Sequence, residues 1–205
     1  TDRTTVIVVE TDTSIGTPDS DSWWDVPPAE VSTMEPVKKK FKDRARFVMK
    51  HFPMNPKCNR IMQGYDKHPN ACESSYAGHC AGEQGKFWEM AHKLYDNYGS
   101  LASADFTEYA KEIGLDVAQF KKDLDDPDVI GRVRRDKAVG DKIGVRGTPS
   151  MFVNGRRINA RDLEGFKKEI DSELAAVEAL TAKGTATAEA VRTRIKAVPI
   201  NTDPK

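Results

Sequence analysis

Three cysteines and four histidines are the side chains of this 205-residue chain with the most chemistry to offer, and their spacing decides which chemistry is open to them. Cys72 and Cys80 fall in one stretch that His68-Pro69-Asn70 opens as a helix, since Pro is tolerated in a first turn and Asn caps well. At helical rise their Cα atoms lie about 12 Å apart, beyond the roughly 4.4–6.8 Å that a disulfide spans. Cys58 sits in the loop before that helix and can reach Cys72, and the ring so closed would add about 3 kcal/mol of stability by restricting the unfolded chain. Two uses fit such a pair. One is a structural staple; the other is a redox pair that exchanges with a thioredoxin-like reductant, Cys72 near the helix start feeling the helix dipole. Cys80 shares an apolar face with Tyr76 and Phe87 and reads as a buried thiol acting as a small hydrophobe.

The histidines His51, His68, His79 and His92 do not assemble into a metal set by spacing. His79 and Cys80 are adjacent and point about 100° apart on a helix, and no short Cys-x-x-Cys or His-x-x-x-His pair occurs. No metal and no cofactor is expected. A Gly-x-Ser-x-Gly elbow and a phosphate-cradling loop are also absent from the sequence. Gly78, Gly82 and Gly85 lie within the helical stretch, where they suit close packing more than ligand contact.

The elements that must position these groups are legible from periodicity. Thr4-Thr5-Val6-Ile7-Val8-Val9 is a continuous β-branched run, as expected for a central strand covered on both faces. Residues 11–28 are rich in Asp, Ser, Thr, Gly and Pro and read as a long loop in which Trp23-Trp24 is embedded between Asp19, Asp21 and Asp25. A helix is predicted over residues 30–41, with Val31, Met34, Val37 and Phe41 at helical spacing, and a strand over residues 46–49. One long helix is predicted from Asn70 onward, carrying Tyr76, Cys80, Phe87, Ala91 and Leu94 on one face. Further helices are predicted over residues 103–113, 117–124 and 128–143. Residues 150–158 read as a hairpin turning at Asn154-Gly155, because that pair supplies the positive φ angles of a tight primed turn. Residues 161–180 and 187–198 read as the last two helices.

Lys plus Arg and Asp plus Glu both total 32, so the overall charge gives no reason to expect nucleic acid as a partner. The charge is uneven along the chain: residues 1–36 hold eight acids against Arg3, and residues 37–60 hold nine bases against Asp43. Such runs usually mark solvated helix faces. No stretch approaches the roughly 20 apolar residues of a bilayer span. Thr1 is not followed by a basic and apolar leader, and a leader or anchor ahead of Thr1 stays open.

The order strand, helix, strand, helical insertion, hairpin, helix resembles a DsbA-like thioredoxin domain. Three runs carry the resemblance: Phe47 through Met54 as second strand and exit, Cys80 through Trp88 as inserted helix, and Val145 through Gly155 as cis-proline loop and hairpin. The pattern of Cys58-Asn59, His68-Pro69, Ala71-Cys72 and Cys80-Ala81 is similar to the thioredoxin-like domains that accompany bacterial vitamin K epoxide reductase homologues. The resemblance implies an α/β fold with a mixed central sheet and a helical insertion over residues 69–143. Residues 144–175 would hold the cis-proline loop, hairpin and last family helix, ending a domain that spans residues 1–175. Residues 176–205 would form a helical extension with a polar tail, able to dock on a partner or cover the sheet. The resemblance also implies an extracytoplasmic setting, where disulfides persist.

One departure from the family matters more than the match. Family enzymes carry Cys-x-x-Cys at the start of the first helix, where the helix N-terminus stabilises the attacking thiolate, and residues 1–57 contain no cysteine. The expectation is therefore a redox-inactive binding or scaffold protein, an accessory subunit of a larger assembly with a protein partner. The alternative is a thiol-disulfide oxidoreductase working through Cys58 and Cys72. Thr148-Pro149 matches the family's cis-proline, kept either for structure or for peptide binding. Trp23 and Trp24 either contact the partner or fold back into the space left by the missing motif.

Overall fold

The structure, a computed structural model, describes residues 4–9, 36–41, 44–64, 68–97, 100–160 and 162–196. The loop over residues 11–28 with Trp23 and Trp24, and the start of the first predicted helix, lie outside the described residues. Two compact units divide the chain. One comprises Thr1–Glu10, Ala29–Lys50 and Lys142–Lys205, the other Thr11–Pro28 and His51–Asp141.

The first unit is built on four strands: β1 (Thr4–Val9), β2 (Ala45–Met49), β3 (Ser150–Val153) and β4 (Arg156–Ile158), in the order β2-β1-β3-β4. β1 lies parallel to β2, with Val6 opposite Phe47, and antiparallel to β3, with Ile7 opposite Phe152. The β-branched run of β1 thus occupies the interior of the sheet. A parallel neighbour requires a crossover, and the chain between β1 and β2 includes the helix α1, described over residues 36–41. Val37 and Phe41, one turn apart on α1, are buried, while Lys39 and Lys40 between them are exposed. β3 is buried at every position, so both of its faces are covered. The hairpin turns at Asn154 and Gly155, with φ of 47° and 81°, the left-handed pair that a two-residue turn requires.

Helix α7 (Leu163–Thr181) starts where the Asp162 side chain accepts a hydrogen bond from the Gly165 N–H. Its Phe166, Ile170 and Leu174, spaced one turn apart, join Val37, Phe41, Ala45, Met151, Val153 and Ile158 in one core. α7 runs unbroken through residue 175, where the family domain was expected to end. Its last turns present Val177 and Leu180 to Ala190 and Val191 of α8 (Thr187–Lys196). The C-terminal extension therefore packs on α7, and that packing defines its place in the first unit.

The second unit is helical: α2 (Ala71–Glu83), α3 (Phe87–Asp96), α4 (Ser103–Glu112), α5 (Val117–Leu124) and α6 (Pro127–Lys142), with a single 3₁₀ turn at Arg60–Met62 before them. The one long helix predicted from Asn70 is two. Gly85, at φ 75°, ends α2: its N–H donates to the Gly82 carbonyl (3.0 Å) and the Lys86 N–H to the Ala81 carbonyl (2.8 Å). Phe87, Ala91 and Leu94 belong to α3. The Gln84 side chain then fixes the break, accepting from the Asp116 N–H (2.8 Å) and donating to the Asp116 carbonyl (3.2 Å). Ala77, Cys80, Ala81, Met90, Leu94, Phe106, Tyr109 and Phe120 close the core of this unit. The described residues of this unit start at His51, in the loop after β2.

Candidate functional site

Cys58 and Cys72 are bonded, with Cα atoms 6.1 Å apart and a sequence separation of 14. The loop that offers Cys58 is held by two buried asparagines. Asn55 donates through Nδ2 to the His68 carbonyl (2.6 Å) and accepts from the Lys57 N–H (2.8 Å). Asn59 donates to the Pro53 carbonyl (2.9 Å) and caps the 3₁₀ turn by accepting from the Ile61 N–H (3.3 Å). Asn55, Asn59 and His68 are each buried to 2 % exposure or less, so these bonds satisfy groups that water cannot reach. Cys72 is the second residue of α2 and buried, whereas Cys58 is only half-buried. Lys57 Nζ lies 3.7 Å from Glu73 Oε1, beside the bond. Asn55 went unread in the sequence, and Asn59 entered only as part of the Cys58-Asn59 pattern; the Asn-Pro step at residues 55–56 marks a turn but not its buried partners.

Cys80 is fully buried on α2. Burial pushes its thiol up to about 12, and the Asp123 carboxylate adds to the shift, so it is no nucleophile near neutral pH.

In the first unit the peptide bond between Thr148 and Pro149 is cis. The loop ahead of β3 is braced by Ser150, whose hydroxyl donates to the Gly147 carbonyl (2.7 Å) and accepts from Arg157 Nη2 (3.1 Å) on β4. The loop is thus fixed by the same hairpin that it precedes.

His51 and His79 meet edge to face at 6.1 Å between ring centres, and His51 meets Phe87 at 5.9 Å. Gly78 lies against these rings: a Cβ there would stand 3.6 Å from both His51 Cε1 and Phe87 Cε2, an ordinary contact distance. His79 Nε2 lies 3.3 Å from Glu83 Oε1, which Arg132 also holds at 3.0 Å. Among the described residues no three His, Cys, Asp or Glu side chains converge as a metal site, and no helix is long and apolar enough to cross a membrane.

A second polar centre escaped sequence reasoning altogether. Glu173 of α7 is 2 % exposed, yet its carboxylate accepts from Arg194 Nε (3.0 Å) and Nη2 (2.9 Å) of α8 and from Arg156 Nε (3.2 Å) of β4. Burial pushes the Glu173 carboxyl up, but the bonds from Arg194 and Arg156 outweigh it and hold the group below its usual range.

Comparison with known proteins agrees with this architecture. The DSBA-like thioredoxin domain matches over residues 30–171. The chain is similar to a Na(+)/H(+) antiporter NhaA 1 of Mycolicibacterium vanbaalenii, 34% identical over 126 residues that make up 60% of this chain and 19% of that protein. It is also similar to a Na(+)/H(+) antiporter NhaA 3 of Salinispora tropica, 38% identical over 112 residues, 55% of this chain and 16% of that protein. The chain thus spans less than a fifth of these relatives. Among solved structures it is similar in fold to Wolbachia pipientis alpha-DsbA1, with a TM-score of 0.64, 14% identity, and coverage of 88% of this chain and 89% of that one. Pseudomonas aeruginosa DsbA superposes with a TM-score of 0.61 at 16% identity, covering 89% and 87%. With β2, the helical insertion and the β3–β4 hairpin inside the matched span, the chain belongs to the DsbA-like thioredoxin family.

Proposed function

We propose that this protein works by binding a protein partner, as an extracytoplasmic accessory domain of a larger assembly, and not by dithiol catalysis at the family's usual place. One observation carries the reading: the first 57 residues hold no cysteine, so the start of the first helix, where family enzymes keep their reactive pair, has no thiol. A loop with cis Thr148-Pro149, of the kind the family uses to present backbone groups to an extended peptide, is nevertheless present and braced by Ser150 and Arg157. The disulfide between Cys58 and Cys72 suits an oxidising compartment. Relatives named as Na(+)/H(+) antiporters carry a similar segment as a small part of a far longer chain, which supports a role beside a larger partner. Trp23 and Trp24 are the aromatic anchors this reading assigns to the partner contact.

The test uses an unfolded polypeptide with its thiols blocked as the binding probe, and a dithiol peptide as the catalytic one. Binding of the blocked probe, weakened at least tenfold when Trp23 and Trp24 are both changed to Ala while the circular dichroism is unchanged, is the expected result, with no catalytic turnover of the dithiol. Turnover without binding would instead assign an oxidoreductase that works through Cys58 and Cys72.

A further inference from the structure

The two ends of the Cys58–Cys72 bond are unequal. Cys72 is 2 % exposed and lies in the first turn of α2, whereas half-buried Cys58 belongs to a stretch with exposed side chains on both sides of it. That stretch, residues 57–61, carries Lys57 with 66% of its side chain exposed and Arg60 exposed on either side of the sulfur. Ile61 completes it: at 44% exposure it is one of two large apolar side chains exposed among the described residues. Asn59, between Cys58 and Arg60, is fully buried and anchors the stretch from beneath.

We propose that Cys58 Sγ is the point at which a protein bearing a cysteine pair on an acidic and apolar surface attaches covalently to this chain. The basic side chains Lys57 and Arg60 would draw the acidic surface and the attacking thiolate, Ile61 would take the apolar contact, and Cys72 is screened from attack by its burial. The partner's thiolate attacks Cys58 Sγ from the side away from Cys72. A sulfur–sulfur bond to Cys58 forms, the Cys58–Cys72 bond breaks, and Cys72 leaves with the electron pair as a thiolate. The first-turn N–H groups of α2 stabilise that thiolate; neighbouring Glu73 opposes it and Lys57, 3.7 Å from Glu73, offsets the opposition. The partner's second thiolate then attacks its own bonded sulfur and releases Cys58, and both released thiolates take protons from water. Two thiols on this chain and one disulfide on the partner are the balance.

The frame around the bond does not depend on it. Asn55 to His68, Asn59 to Pro53 and the Asn59 N–H to the Asn55 carbonyl (2.8 Å) all join groups other than the sulfurs, so the opened pair stays within reach and can close again. This does not rest on the binding function proposed above: the bond can accept a thiolate whether or not the Pro149 loop holds a peptide.

The experiment treats the oxidised full chain with glutathione at mildly alkaline pH, quenches with acid at successive times, and maps the adducts by peptide mass spectrometry. The first adduct is expected on Cys58 with Cys72 as the free thiol, in at least tenfold excess over the reverse. Changing Lys57 and Arg60 to Glu should slow it several-fold at low salt, with the difference fading at high salt. An adduct first on Cys72, an even distribution, or no adduct before the protein unfolds would each overturn the proposal. A thioredoxin-class protein with its second cysteine changed to Ser then serves as the protein probe. Ile61→Asp should lower the yield of the trapped complex and leave the glutathione rate unchanged; an unaltered yield would overturn the assignment of Ile61 to the partner contact.

Discussion

Arg194 and Glu173 meet through a pair of N–H···O bonds, Nε to Oε2 at 3.0 Å and Nη2 to Oε1 at 2.9 Å, joining α8 to α7 at a carboxylate that is almost fully buried. Bidentate geometry makes this a strong contact for one pair of side chains. Arg194 remains about a third exposed, so solvent screening discounts its worth. Arg194→Ala should lower stability by about 1–2 kcal/mol, read as a shift of the urea midpoint. An unmoved midpoint would mean that α8 is held by Ala190 and Val191 alone.

The same carboxylate sets a pH dependence. Glu173 has an ordinary value of 4.5 and sits lower in the folded protein, so the unfolded chain takes up the proton first. Its contribution is complete near neutral pH, begins to fall as the pH comes down toward 4.5, and is lost below the depressed folded value. Urea titrations of wild type and Glu173→Gln should therefore converge on acidification. Parallel curves down to acid-induced unfolding would remove Glu173 as the cause.

Opening the ring between Cys58 and Cys72 should cost about 3 kcal/mol. Cys58→Ser, Cys72→Ser and the double variant should lose nearly the same stability, because either single change already breaks the bond. A double variant much weaker than both singles would show that the sulfurs contribute through packing.

The end of α2 offers a contrast between two glycines. Gly85→Ala should destabilise by about 1 kcal/mol, since an L side chain at φ 75° is strained. Gly82→Ala should be neutral or mildly stabilising, because its Cβ would meet Phe87 at an ordinary 3.5 Å and Ala favours a helix interior. Thermal unfolding of the two variants decides it, and equal losses would contradict the break at Gly85.

Cys80 should resist alkylation in the native protein, with its buried thiol held near 12. Iodoacetamide labelling at pH 8 should track global unfolding as urea is added. Rapid native labelling would mean that the helical core opens locally.

The local signals were legible where one short run decides the structure. Asn154-Gly155 fixed the hairpin, residues 161–180 read as the helix that α7 forms, and the reach from Cys58 to Cys72 gave the disulfide. Periodicity misled at Gly85 because Phe87, Ala91 and Leu94 keep step with Cys80 across the break. The stop is written in a single residue's backbone angle and in the side chain of Gln84 holding Asp116. Asn55 and Glu173 were invisible for a different reason. Their partners, His68 for the first and Arg156 and Arg194 for the second, come from other parts of the fold, and no spacing rule links them.

The ring closed by Cys58 and Cys72 includes the exposed Arg60 and Ile61, a peptide that a trypsin-like protease can reach. A cut there interrupts the backbone without parting the molecule, because the sulfur bond still joins the two pieces. Such a nicked chain would migrate as one species until reductant is added and as two afterwards. Asn55 on one side of the cut would still hold the carbonyl of His68 on the other. Covalent integrity of the protein is thus carried twice across this one surface stretch, and only the loss of both links would separate β2 from the helices that follow.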